Sequence, residues 1–161
     1  YLKELENFSV SFVQNGHSNL QEGKIYVGSK RIRVEYEEPS KILIILAEKK
    51  AMYYNYDLDE DEFFNPEDTP AWFFFEIFKN PNFFSNSEII SLDNNIKVIS
   101  KGNYDGNEYN LEIHFEINPI VLRKIDLKFN EDNLILSIFN HKFEETFNKN
   151  FFKLINPKLF N

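Results

Sequence analysis

Apolar and polar residues alternate with a period of two along most of this chain. The pattern is clearest over residues 109–117, where every second residue is apolar and His114 lies between two glutamates on the polar side. One apolar and one polar face is typical of a half-buried antiparallel strand. Turn-forming pairs separate several alternating segments: Asn15-Gly16, Asp105-Gly106 and Asp132-Asn133. Together these features predict about ten strands in one meandering sheet.

Two segments break this period. Residues 2–7 have the pattern of the end of a helix, and residues 69–80 predict a short helix that Thr69 caps, Pro70 begins and Asn80-Pro81 stops. Apolar side chains cover nearly the whole circumference of this second helix: Trp72, Phe73, Phe74, Phe75, Ile77 and Phe78. A helix lying on a sheet needs only an apolar stripe, so something besides the sheet must cover this one.

The composition strengthens that expectation. The 161 residues are the length of one domain, taken here as residues 1–161, and they include 18 Phe, 8 Tyr and 1 Trp. A single twisted sheet with one or two short helices offers too little surface to cover so many rings. We therefore expect a concave sheet closed by the aromatic helix, with a cavity between them. The period of two predicts the residues that line it: Val10, Phe12, Ile25, Val27, Ile32, Val34, Tyr36, Ile44, Met52 and Tyr54.

Charge and residue content exclude several functions. The net charge of −8 argues against a nucleic-acid partner, because binding phosphates requires clustered Lys and Arg. Without cysteine there is no disulfide, thiolate catalysis or Cys zinc site. No run approaches the roughly 18 apolar residues of a membrane span. The sequence starts at Tyr1 rather than Met, and we expect a signal peptide to have been removed.

Candidate chemistry is sparse. The acidic run from Asp57 to Asp68 has calcium-loop spacing, but Glu62 stands where that loop needs Gly, so a solvated turn is the preferred interpretation. His17, His114 and His141 are too scattered for a metal pair, although His141 with Glu144 and Glu145 makes a weak cluster. Nucleophile elbows, HExxH motifs and phosphate loops are absent from the sequence. We therefore expect no catalytic residues, no metal and no cofactor, and a protein that is not an enzyme.

Several segments resemble the LolA family of periplasmic outer-membrane lipoprotein carriers. Residues 8–14 followed by Gln21-Glu22-Gly23 resemble the family's opening strands, and residues 31–39 resemble its strand that ends in an aromatic-x-Pro segment. Residues 42–58 are similar to its hairpin with tyrosine and aspartate, and Thr69-Pro70-Ala71 is similar to the start of its lid helix. Residues 139–156 resemble its closing strands, so the resemblance covers nearly the whole chain in order and spacing.

The resemblance implies a mainly β fold: an open, incomplete antiparallel barrel of about eleven strands, with short helices as a lid over a hydrophobic cavity. It implies a monomeric periplasmic chaperone that takes acylated lipoproteins from an inner-membrane ABC lipoprotein-releasing complex to an outer-membrane acceptor. An anchored acceptor or a lipid-sensing domain of the same fold is the alternative. The lid would be the helix residues Trp72, Phe73, Phe75, Ile77 and Phe78.

One departure from the family concerns the lid. The family commonly has Arg-Pro-Gly before the third strand, with the arginine bonded to the lid, whereas Gly28-Ser29-Lys30 stands here. Strand alternation points Arg31 and Arg33 away from the face of Ile32 and Val34. The residue that fastens the lid is therefore not predicted by the resemblance.

Overall fold

The computed structural model describes residues 5–15 and 19–160. Its strands are β1 (Phe8–Asn15), β2 (Leu20–Val27), β3 (Ile32–Glu38), β4 (Ile42–Leu46), β5 (Ala51–Asn55), β6 (Glu60–Phe64), β7 (Glu88–Leu92), β8 (Asn95–Tyr104), β9 (Asn107–Glu116), β10 (Val121–Phe129) and β11 (Asp132–Lys142). Helix α1 (Ala71–Lys79) follows a 3₁₀ turn at Pro66–Asp68, and a second 3₁₀ turn covers Pro157–Phe160. None of the helices in the described ranges is long and apolar enough to cross a membrane.

All eleven strands belong to one antiparallel sheet in the order β6-β5-β4-β3-β2-β1-β11-β10-β9-β8-β7. It consists of two meanders, β1 to β6 and β7 to β11, which are joined where β1 pairs with β11. Strands β6 and β7 form the two edges, so the sheet is not closed. The prediction of an open, mainly β barrel of about eleven strands is confirmed.

The inner face of the sheet carries the apolar positions that the alternation predicts. One row of directly opposed residues crosses from β1 to β4: Val10 faces Ile25, Ile25 faces Val34, and Val34 faces Ile44. Opposed residues in antiparallel strands point to the same face, so this row makes a continuous apolar surface. The hydrophobic core forms where that surface meets α1.

Helix α1 lies in the connection between the two edge strands and begins at Ala71, one residue after the predicted start, so that Pro70 takes the cap position predicted for Thr69. Thr69 Oγ1 accepts a hydrogen bond from the Ala71 N–H (3.2 Å), which gives one of the first helical amides a partner. Asn80 ends the helix in an extended conformation. Because β6 and β7 are opposite edges, the connection carries α1 across the inner face of the sheet.

The last part of the chain, residues 147–160, covers the outer face of β2 to β5. Arg31 and Arg33 point outward, as the alternation predicts, and donate hydrogen bonds to the carbonyl oxygens of Phe152 and Phe151 (both 2.7 Å). Leu154 packs on a separate buried outer cluster: Leu43, Ile45, Met52 and Tyr54. This part of the barrel therefore has two covered faces.

Two local predictions differ from the structure. The turn between β10 and β11 is at Asn130, whose φ is 55°, and Asp132-Asn133 already belongs to β11. Of the predicted helix end at residues 2–7, only residues 5–7 are described, and they are not helical. The Asp105-Gly106 turn is confirmed, since both residues have positive φ (50° and 78°). Gly16 and His17 lie outside the described residues.

Candidate functional site

Aromatic contacts hold α1 against the inner face of the sheet. Phe73 is fully buried, with its ring centroid 5.0 Å from that of Tyr109 and 5.2 Å from that of Phe129. Trp72 stacks on Tyr104 with centroids 3.8 Å apart. Aromatic pairs of this kind each add about 0.5–1.5 kcal/mol beyond their buried area. The helix is therefore packed closely against β8, β9 and β10.

An apolar cavity of about 430 Å³, cavity A, lies between the first half of α1 and the inner face of β2 to β6. Four of the predicted lining residues contribute to it: Ile25, Val34, Tyr36 and Ile44. The other apolar lining residues were not among the predicted cavity or lid residues, and two of them belong to β11: Leu46, Tyr53, Phe64, Pro70, Ala71, Phe74, Leu134 and Leu136. A volume of this size is within the usual range of pockets for small ligands.

Tyr36 contributes an aromatic surface to cavity A rather than a reactive group. Its hydroxyl donates a hydrogen bond to Gln14 Oε1 (2.9 Å), and its ring meets that of Phe12 edge-on at 5.2 Å. Burial raises the pKa of Tyr36 to about 12, because the charged phenolate is poorly solvated there. Glu62 is the charged residue among the lining side chains, and it is exposed on the edge strand β6.

The other predicted cavity residues divide into two groups. Val10, Phe12, Val27 and Ile32 lie on the inner face, as predicted, but they are buried in the core and do not line cavity A. The assignment of Met52 and Tyr54 to the inner face is wrong, since both belong to the outer cluster. In β5 it is Tyr53, opposed to Ile44, that reaches cavity A.

All of the predicted lid residues belong to α1, and they pack against the core to different extents. Trp72 and Phe75 are partly buried against the core, and Phe73 is enclosed by it. Ile77 and Phe78 face a second apolar cavity of about 470 Å³, cavity B, between the second half of α1 and β7 to β9. The two halves of the helix thus line two different cavities, of which the sequence predicted one.

The contact between the helix and residues 28–30 comes from the helix side. Lys79 Nζ, at the last position of α1, donates a hydrogen bond to the carbonyl oxygen of Gly28. Burial lowers the pKa of Lys79. A lysine on the helix thus connects it to the segment where the LolA family commonly has its arginine.

The other candidate sites have structural roles. The acidic run begins with a turn in which Asn55 Oδ1 accepts hydrogen bonds from the backbone N–H groups of Asp57 and Leu58. Further along the run, Asp59 forms an ion pair with Lys158 (2.8 Å). His141 Nε2 lies 2.8 Å from the carbonyl oxygen of Leu122. Within the described residues, no three His, Asp or Glu side chains are grouped so that they could hold a metal ion.

Glu145 does not join His141 in a cluster. It accepts a hydrogen bond from Ser9 Oγ (2.7 Å). His114 lies on the outer face of β9. Burial lowers its pKa, and Lys97 and Lys124 lower it further. Both His114 and His141 are therefore strand residues outside cavity A.

An open antiparallel barrel that packs around an aromatic helix, with an apolar cavity at each half of that helix, defines the structural class of this protein. An uncharacterized conserved protein from Thermus thermophilus is similar in structure, with a TM-score of 0.59 and 12% identity over 96% of this chain and 90% of that one. MucB is similar with a TM-score of 0.54 and 11% identity, over 94% of this chain and 58% of MucB.

MucB in the Pseudomonas aeruginosa MucA/MucB complex gives a TM-score of 0.53 at 9% identity, over 94% of this chain and 56% of that one. The chain therefore spans somewhat more than half of MucB. No protein-family model matches the sequence, and no curated protein matches it. These likenesses show the fold alone, an open antiparallel barrel.

Proposed function

We propose that this protein binds the acyl chains of lipoproteins in cavity A and carries them through the periplasm of a Gram-negative bacterium. Its cargo would come from an inner-membrane ABC lipoprotein-releasing complex and go to an outer-membrane acceptor. The observation that carries the proposal is that Ile25, Val34, Tyr36 and Ile44, predicted to touch lipid, line one apolar cavity beside α1.

The energetics favour a carrier whose own packing opposes binding. Burying an acyl chain contributes about 0.8 kcal/mol per methylene, so about sixteen carbons gain more than ~10 kcal/mol. Cargo held by that whole gain would leave slowly. If the chain displaces part of the packing of Phe73 and Trp72 when it enters, the lost aromatic contacts offset part of the gain. Release then requires no nucleotide in the carrier.

Filling cavity A tests the proposal. A synthetic tripalmitoylated lipopeptide should bind the purified protein, and Ile44→Trp should weaken binding by about tenfold or more, equivalent to at least about 1.4 kcal/mol. Leu58→Trp is the matched control, because Leu58 is exposed in the loop after β5. Calorimetric titration gives the affinities and thermal unfolding shows that both variants fold. Equal binding by all three proteins would count against cavity A.

The proposal also states that the protein binds the lipopeptide without cleaving it. Lipopeptide recovered after long incubation with the protein should be intact by mass spectrometry. Appearance of a hydrolysed ester would instead support an enzyme. Native mass spectrometry of the protein from a Gram-negative periplasm should show bound acylated cargo.

The alternative is an outer-membrane-anchored acceptor or a lipid-sensing domain of the same fold. It is favoured by one comparison, since MucB of similar fold was solved in complex with another protein, MucA. A carrier should speed transfer of the lipopeptide between two vesicle populations separated by a membrane that holds back the vesicles and passes the protein, relative to the same chamber without protein. An acceptor or sensor should bind the lipopeptide without moving it across.

A further inference from the structure

Cavity B is a second apolar site that the proposed lipoprotein binding does not use. Its walls include Ile77 and Phe78 of α1, Ile96 and Val98 of β8, and Phe115 of β9. Its lining is distinct from that of cavity A, because the two cavities share no lining residue. Its volume of about 470 Å³ is similar to that of cavity A and suits a small ligand.

The two cavities differ in the charge beside them. Both cavities have an exposed carboxylate in their lining, Glu62 in cavity A and Glu6 in cavity B, but cavity B alone also has an ammonium group, that of the half-buried Lys79. An ammonium group has three N–H donors, and the Gly28 carbonyl accepts from one of them. Burial lowers the pKa of Lys79, and the nearby Glu6 carboxylate raises it by less, so the protein offsets only part of the desolvation cost of the ammonium charge. A bound anion would offset more of it.

We propose that cavity B binds a fatty acid, with the apolar chain among the residues of α1, β8 and β9 and the carboxylate at Lys79. The inference rests on the proposed lipid-binding function and adds a second, acid-selective site to it. Glu6, exposed at the same cavity, opposes a carboxylate there. Because water screens an exposed charge more than a half-buried one, Lys79 dominates over Glu6.

Charge selectivity is the direct test. Palmitate and hexadecanol share a chain length and differ in the acid group, so their affinities for the full chain are compared by calorimetric titration at one pH and ionic strength. Lys79→Met should weaken palmitate binding about tenfold, as expected for a hydrogen bond to a charged group, and leave hexadecanol binding unchanged. Glu6→Gln should tighten palmitate binding. Lys101→Met, an exposed lysine of β8, should change neither affinity.

Location is tested by filling each cavity separately. Ile96→Trp should abolish palmitate binding, and Ile44→Trp in cavity A should preserve it. The proposal is overturned if Lys79→Met affects palmitate and hexadecanol equally, or if Ile44→Trp rather than Ile96→Trp removes palmitate. It is also overturned if Ile96→Trp weakens only the tripalmitoylated lipopeptide, since cavity B would then hold a second chain of that cargo.

These results separate the two proposals. If the lipopeptide fails to bind while palmitate binds in a Lys79-dependent way, the carrier function fails and the fatty-acid site stands. If the lipopeptide binds in cavity A and palmitate binding does not depend on Lys79, the fatty-acid site fails and the carrier function stands. Thermal unfolding of each variant identifies any loss that comes from misfolding, and Lys79→Met keeps the long side chain and tests the site without filling it.

Discussion

Gly23 shows how closely two strands approach each other in this barrel. A Cβ atom on Gly23 would lie 2.0 Å from the carbonyl oxygen of Glu35, at the point where the register between β2 and β3 shifts. Backbone atoms cannot move aside cheaply, so we expect Gly23→Ala to lower the free energy of unfolding by about 1–3 kcal/mol. Urea unfolding measures this loss.

Gly102→Ala is the matched control for Gly23→Ala. Its new Cβ would meet the side chain of Tyr109 at 2.9 Å, and a side chain can rotate away. The cost should therefore be smaller than at Gly23. Equal losses at both positions would contradict the role of the close strand approach. This contact also gives a physical reason for glycine in the Gln21-Glu22-Gly23 segment.

His114 and His141 make stability depend on pH. Burial is the main cause that lowers the pKa of both below the ordinary value of 6.5. As the pH falls through the ordinary value, the unfolded chain therefore takes up protons before the folded chain does, and stability decreases. The melting temperature should fall between pH 7.5 and pH 5.5, and the fall should be smaller in a His114→Gln, His141→Gln double variant. An unchanged fall would mean that other groups cause it.

At the scale of the strands, sequence prediction succeeds where one face is solvated and fails where both are covered. In β9 the alternation is unbroken, and the predicted inward residues Leu111 and Ile113 are fully buried. In β4 all five residues are apolar, so the period of two does not identify the inner face. Ile44 was nevertheless assigned to the correct face of β4. In β5 the residues Ala51 to Tyr54 are all apolar or aromatic, and there the predicted face was inverted. The covering residues 147–160 carry no periodic signal that would have corrected it.

Phe151 should show what the outer layer contributes. Its ring lies 5.0 Å from Tyr26 and 5.1 Å from Phe147, and the Arg33 guanidinium lies 4.4 Å above it. Phe151→Leu removes these ring contacts, and we expect it to lower the free energy of unfolding by about 1–2 kcal/mol.

The Phe151 contacts are on the outer face, so lipopeptide binding in cavity A should not change in Phe151→Leu. Leu159→Ala in the same segment should change neither quantity, because Leu159 is 76% exposed. Weaker lipopeptide binding by Phe151→Leu would show that the outer layer and cavity A are coupled. Urea unfolding and calorimetric titration provide the two measurements.

At the scale of the whole molecule, the pairing that joins the two meanders could not be read from local pattern. Strand β1 pairs with β11, which begins more than a hundred residues later in the chain. Alternation and turn chemistry act between neighbours, and they carry no information on such a distant contact. The resemblance over the whole chain supplied the expectation of an open barrel. Cavity B was missed because its walls come from β7 to β9, outside the segments used to predict the lining.

The balance between helix packing and ligand binding is a property of the whole molecule, and Phe73 tests it. The ring of Phe73 touches four others, so Phe73→Leu removes four ring contacts and should destabilise the ligand-free protein by about 1–3 kcal/mol. The four partners are Trp72, Tyr104, Tyr109 and Phe129. If lipid displaces this packing, the variant should bind the lipopeptide more tightly, because less is lost when the chain enters. Phe151→Leu makes the same change on the outer face and should leave affinity unchanged. An unchanged or lower affinity in Phe73→Leu would mean that lipid enters without displacing α1, and that release depends on another contact.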